Sequence, residues 1–150
     1  MTVPIIEIRK GAAVVLVNDR QEVLLQKRED FRIWDLPGGL AEEGEDLETT
    51  AIREAFEETG FKVALDRHIA IYRYPQKHVI VSIYRGHVYD GVLVQKTAET
   101  VDARWFSPGD LPRRLNFHVR DAVHDAFCWR ESPVEVIKHL SPGEDRKSVV

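Results

Sequence analysis

Apolar residues run without a break through Ala12-Ala13-Val14-Val15-Leu16-Val17. A run this short with no polar side is the pattern of a strand buried on both faces. Asn18-Asp19-Arg20 is a turn sequence, and Glu22 to Arg28 returns as a second strand, so the pattern predicts a hairpin. Trp34-Asp35-Leu36-Pro37-Gly38-Gly39 then interrupts regular structure, and its paired glycines let the backbone approach another group closely. From Leu47 to Thr59 the spacing turns helical, with acids in the first turn and Gly60 as the stop. Two β-rich stretches follow, around His68 to Tyr74 and His78 to Val94, and Ala103 to Phe106 is a further short strand. Ser107-Pro108-Gly109-Asp110 turns the chain into a second helix, Val119 to Arg130, with Val119, Ala122, Val123, Ala126 and Phe127 on one face. The tail from Ser141 is polar and reads as frayed. Strands interrupted by one helix and followed by another predict an α/β protein with a mixed sheet covered on two sides. No repeat or Pro/Gly/Ser linker divides residues 1–150, which read as a single domain.

A composition 43% hydrophobic and 31% charged is that of a globular chain, neither disordered nor fibrous. No apolar run approaches the roughly 20 residues that span a bilayer, and the start lacks the pattern of a secretion signal. One cysteine, Cys128, excludes an internal disulfide framework and a multi-cysteine zinc site. The expectation is a cytoplasmic protein without membrane contact. The net charge of −4 provides no basic coat, so nucleic acid is not an expected partner. The distribution of charge says more than its sum. Residues 45–60 hold six acids and one base, while the rest of the chain is nearly neutral. Concentrated like charge calls for a counter-charge, and a divalent cation supplies one.

Within that segment Glu54 and Glu58 lie one helical turn apart, and Glu57 stands about 60° round from Glu54. Ala51, Ile52, Ala55 and Phe56 form a separate apolar face able to pack on a sheet. A solvated acidic face is the plain alternative. Against it, no lysine interleaves the acids, and they follow a Pro-Gly-Gly loop. Hard oxygen donors in such an array suit Mg²⁺ or Mn²⁺, and magnesium normally shares its coordination between carboxylates and substrate phosphates. The pattern therefore points to a phosphate-bearing substrate.

The spacing Gly39-x5-Glu45-x7-Arg53-Glu54-Ala55-x-Glu57-Glu58-x-Gly60-Phe61 resembles the Nudix box, the signature of the Nudix hydrolase family. Every fixed residue is present. The departures are Ala55, small for an aliphatic slot, and Phe61, aromatic where an aliphatic residue is commoner. The preceding Trp34-x-Leu-Pro-Gly-Gly and the later Arg104-Trp105-Phe106-x-Pro-x-Asp-Leu-Pro also look like the family. The resemblance implies an α/β/α sandwich with a mixed sheet and a Mg²⁺- or Mn²⁺-dependent hydrolase. Its substrate would be a small nucleotide: a nucleoside triphosphate, or a nucleoside diphosphate joined to another group. It implies Glu54, Glu57 and Glu58 as metal-binding acids, with the Gly38 carbonyl as a further ligand. Glu54 is also a candidate general base, and Arg53 orients the carboxylates by charged hydrogen bonds. Glu45 has a structural role or holds an outer metal. A homodimer is common in the family. A Nudix-fold sensor that binds nucleotide or RNA without hydrolysis is the alternative, and the intact box argues against it.

Outside the box, Glu99 and Asp102 precede the Trp105 strand, where many members of the family carry an acid that binds metal or serves as base; each belongs equally to a polar turn, and Glu99 is the candidate metal ligand. Arg28 ends its strand opposite the Pro-Gly-Gly loop, where it contacts substrate phosphate or caps an edge. Tyr74 lies where the family selects its substrate, and stacks on a base or packs in the core. Pro75, fourteen residues after Phe61, resembles the mark of the ADP-ribose-hydrolysing subgroup in a slightly shifted register. Trp34 and Trp105 read as packing anchors. The six histidines show no ligand spacing, and His118 is a substrate-contact candidate.

Overall fold

A computed structural model describes residues 4–144. In chain order its elements are β1 (Arg9–Leu16), β2 (Val23–Arg28), β3 (Trp34–Asp35), β4 (Gly38–Leu40), α1 (Leu47–Thr59), β5 (Phe61–Tyr74), β6 (Val79–Gly91), β7 (Thr100–Phe106), α2 (Val119–Ala126) and β8 (Val134–Ile137). One sheet has the order β4-β1-β6-β5-β8 and the other β3-β2-β7. The pairs β1–β6 and β5–β8 are parallel, whereas β1–β4 and β5–β6 are antiparallel, so the larger sheet is mixed.

Strand β1 is apolar on both faces because it feeds two cores. Ala13, Val15 and Val17 pack with Val119, Ala122, Val123 and Ala126 of α2. Ala12, Val14 and Leu16 face the other way, toward Ala51 and Ala55 of α1. A helix on each side of a mixed sheet is the predicted α/β/α sandwich. Among the described residues no helix is long and apolar enough to cross a membrane.

Helix α1 has the predicted bounds because both ends are capped. The Asp46 side chain accepts from the Thr49 amide at 2.8 Å, and Gly60, at φ 80°, donates its N–H to the Phe56 carbonyl. Its buried face is narrower than expected. Ala51 and Ala55 are buried, but Ile52 and Phe56 are 40% and 51% exposed.

Several expectations are corrected. β1 and β2 do not form a hairpin; they share a single bridge, Val17 with Val23. Both edges of β1 are taken by β4 and β6, so β2 leaves for the second sheet. The interruption is confined to Leu36 and Pro37, since Gly38–Leu40 already pairs with Gly11–Ala13. A Cβ at Gly38 would come within 2.5 Å of the Ala12 carbonyl oxygen, so glycine is what lets these strands meet. Helix α2 stops at Ala126, short of Arg130. Arg67 and Arg85 each donate to the Ala126 carbonyl at 2.7 Å, closing the negative end of the helix. Phe127 is consequently outside the core, with the Arg85 guanidinium 5.1 Å from its ring. Cys128 also lies past the helix, half-buried and 3.5 Å from His124 Nε2, and is not a core residue. Strand β8 was not foreseen. Trp34 packs edge-on against Phe106 and Trp105 against Phe61, as anchors. Of the polar tail, residues 145–150 lie outside the described residues.

Candidate active site

A cavity of about 490 Å³ opens between the C-terminal end of β2, strand β4, one face of α1 and the segment before β7. Its wall includes Arg28, Asp35, Gly38, Gly39, Glu54, Glu58 and Glu99. The structure thus brings Glu54, Glu58, Glu99, Gly38 and Arg28 together, although Arg28 and Glu99 are far apart in sequence. Gly39 has no room for a side chain, because a Cβ there would sit 2.4 Å from the Glu54 carboxyl carbon. The bare strand lets that acid lie directly on it.

Arg53 organises the acids of α1. Its Nε and Nη2 fork onto the Glu45 carboxylate at 2.7 and 2.9 Å, and Nη2 also reaches the Leu40 carbonyl at 3.3 Å. Nη1 donates to Glu54 at 2.9 Å and to Glu57 at 3.1 Å. Glu45 additionally accepts from the Thr50 hydroxyl at 2.7 Å. These bonds, Arg53 foremost, hold the Glu45 carboxyl down at about 2. Glu45 therefore ties the loop before α1 to Arg53, the structural role of the two expected for it.

The cavity acids behave oppositely. Burial pushes the Glu58 carboxyl well above the usual carboxylate range, and the charges of Glu54, Asp35 and Glu99 add to it. The Gly38 amide, donating to Glu58 at 2.8 Å, pulls the other way. Burial also raises Glu54, opposed by Arg53 and reinforced by Glu57 and Glu99. Acids that resist ionisation because they are buried, and then because they crowd one another, are suited to a hard divalent cation. Glu54, Glu58 and Glu99 supply the oxygen chemistry such an ion takes, so the donor set fits.

Glu57 does not line the cavity. Its side chain is 54% exposed and turned to Arg53. Among the described residues no group of three or more His, Cys, Asp or Glu side chains forms a ready-made metal cluster. Each helix acid is instead engaged by a donor of the protein. Joint coordination by Glu54, Glu57 and Glu58 requires Glu57 to turn from Arg53.

Tyr74 is corrected. It is 1% exposed, packs against Phe117 in the larger core and is not part of the cavity wall. Its strand position points the ring inward, so it cannot stack on a ligand there. His118 is also buried and contacts Asp35, not open space. Asp102 pairs with Arg104 at 2.9 Å.

Asp35 is the site residue that sequence reasoning missed. It is 4% exposed. It accepts from the Leu36 amide at 2.8 Å and Asn116 Nδ2 at 2.9 Å, and it meets His118 Nε2 at 3.0 Å and Arg28 Nη1 at 3.3 Å. Burial alone would raise its carboxyl, but His118, Asn116 and Arg28 together hold it below the ordinary value. A charged residue between Trp34 and Leu36 was the available signal, because a charge among apolar neighbours needs partners.

The fold and the gathered acids point to a phosphoanhydride hydrolase, and the comparisons give that class. The NUDIX domain model matches residues 7–126, and the chain belongs to that family. It is a Nudix hydrolase, a pyrophosphohydrolase by class. A Bacillus subtilis protein named, provisionally, as an 8-oxo-dGTP diphosphatase is 40% identical over 103 residues, 69% of each chain. A MutT-like protein of Streptomyces ambofaciens is 30% identical over 105 residues, 70% of this chain and 68% of that one. A Nudix hydrolase structure from Nitrosomonas europaea has the same fold at a TM-score of 0.76 and 22% identity, covering 91% of this chain and 83% of that one.

Proposed function

We infer that the enzyme hydrolyses a nucleoside triphosphate or a nucleoside diphosphate derivative, with Mg²⁺ or Mn²⁺, in the cytoplasm. One observation carries the reading: a single cavity holds carboxylates that resist ionisation on one side and an arginine on the other. Such a site suits a cation and the phosphates it accompanies. The 40% identical relative, whose name refers to a nucleoside triphosphate, supports that class first.

In this reading Glu54, Glu57, Glu58 and Glu99, with the Gly38 carbonyl, would hold the ion. When bound, it neutralises phosphate charge and makes water a better nucleophile. The chain's own residues do the rest. Arg28 takes a substrate phosphate, and Arg53, braced by Glu45, keeps Glu54 in place while Glu57 turns to the ion. The water oxygen bonds to phosphorus, and the anhydride P–O bond breaks. Its electron pair leaves with the departing phosphate group. Glu54, at the cavity wall beside the reacting water, is the group that takes the water's proton. Catalysis is mainly positioning and charge neutralisation.

The experiment is a panel of nucleoside triphosphates including 8-oxo-dGTP, with ADP-ribose, dinucleoside polyphosphates and nucleotide sugars, assayed with and without Mg²⁺. Metal-dependent release of a nucleoside monophosphate supports the reading. Tight binding without products across the panel would replace it with the sensor.

A further inference from the structure

Arg28 already carries two carboxylates. Its Nη1 donates to Asp35 at 3.3 Å. Its Nε and Nη2 donate to the two oxygens of Asp30, at 2.9 and 2.5 Å. The two acids differ in kind. Asp35 is buried and fixed by donors from three segments, whereas the Asp30 side chain is 47% exposed and belongs to the short connection after β2. A parallel pair of N–H bonds onto two oxygens is also how a guanidinium takes a phosphate. Asp30, like Arg28, lines the cavity. The forked face of Arg28 is therefore occupied by the protein's own carboxylate.

We propose that Asp30 is a built-in occupant of the Arg28 phosphate seat, displaced by the incoming substrate, while Asp35 remains as the fixed anchor. The proposal rests on the reading of Arg28 as a phosphate contact. An exposed ion pair is weak, and a polyphosphate brings more charge than one carboxylate, so displacement is favourable. Even so, a seat that is closed most of the time lowers apparent affinity by the fraction of time it is open. Asp30 then selects by charge: a polyphosphate opens the seat more readily than a monophosphate. The connection can yield locally, since Phe31 is exposed and Arg32 takes a positive φ of 51° before β3 begins.

The test is calorimetric titration with inorganic pyrophosphate in Mg²⁺. It compares the unaltered protein, Asp30→Asn, Glu29→Gln, Arg28→Lys and the double variant Arg28→Lys/Asp30→Asn. Arg28→Lys keeps a positive charge beside buried Asp35, and thermal melting checks that it folds. Asp30→Asn is expected to bind about three to five times more tightly. Glu29→Gln, which removes a neighbouring exposed acid, should change affinity less than half as much. In the lysine background Asp30→Asn should lose its effect, because lysine has no fork. Equal tightening in Glu29→Gln, or tightening that persists in the lysine background, overturns the proposal in favour of a general field effect. Weaker binding by Asp30→Asn also overturns it, since Asp30 would then be positioning Arg28. If Arg28→Lys weakens binding while Asp30→Asn is silent, only the displacement idea fails. If Arg28→Lys leaves affinity unchanged, the phosphate-contact reading itself fails.

Discussion

Glu58 shows how one side chain trades folding for function. Its carboxyl is pushed up by burial and by neighbouring acids, so the folded protein favours its protonated form. An unfolded glutamate ionises near about 4.3. Between that value and the higher folded one, rising pH removes stability, because only the unfolded chain ionises freely. Glu58→Gln should therefore be more stable than the unaltered protein at pH 8 in EDTA, with the advantage shrinking toward pH 4. Urea unfolding across that range checks it, and a pH-independent difference would contradict the sign. The same variant should lose hydrolysis by about 10²-fold or more, since the neutral amide cannot share a cation's charge. Protons should also compete with the metal, so Mn²⁺ affinity is expected to fall as pH is lowered. This residue was legible early, because three acids at helical spacing without lysine between them are conspicuous. Asp35 was not, because its partner Asn116 lies 81 positions away and only tertiary structure brings them together.

At the scale of elements, α1 is a delivery device whose two ends and one hub are separately testable. Gly60→Ala meets a positive φ and the Val92 carbonyl oxygen only 2.5 Å from the new Cβ, so a loss of at least about 1 kcal/mol is expected in thermal unfolding. Arg53→Lys should fold but cannot fork onto Glu45 while reaching Glu54 and Glu57. A fall in turnover or metal affinity of about 10- to 100-fold is expected, measured as kcat and as Mn²⁺ affinity. The bounds of α1 could be read directly because Asp46 and Gly60 are chemical punctuation. The β1–β2 hairpin misled because a good turn joins two good strands, yet which sheet a strand joins depends on whose edges are free. The strand at Gly38–Leu40 was hidden by residues that disfavour strands in isolation and are tolerated here because β1 presses so close. Strand β8, four residues beside β5, left no periodic signal.

For the molecule as a whole, the buried Asp35 cluster adds side-chain bonds where β2, β3 and the approach to α2 already meet through the backbone. It links the end of β2, strand β3 and the approach to α2 through Arg28, Asn116 and His118. Asp35→Ala removes the acceptor that Asn116, His118 and Arg28 share, and a loss of about 3 kcal/mol is expected in urea unfolding. A loss under 1 kcal/mol would mean that the cluster has a looser, wetter environment than its burial indicates.

Because β1 is greasy on both sides, sliding it by one residue would exchange its two apolar sets at little hydrophobic expense. What sets the alignment is backbone pairing on both edges of β1, Ala12 with Gly39 and Ala13 with Gly38 on one side and Arg9–Leu16 with Val79–Gly86 on the other. Gly38 and Gly39 also form the floor on which Glu54 and Glu58 rest. Misalignment of the central strand would therefore also displace the backbone under the acids of the proposed site, and turnover is expected to fall with it.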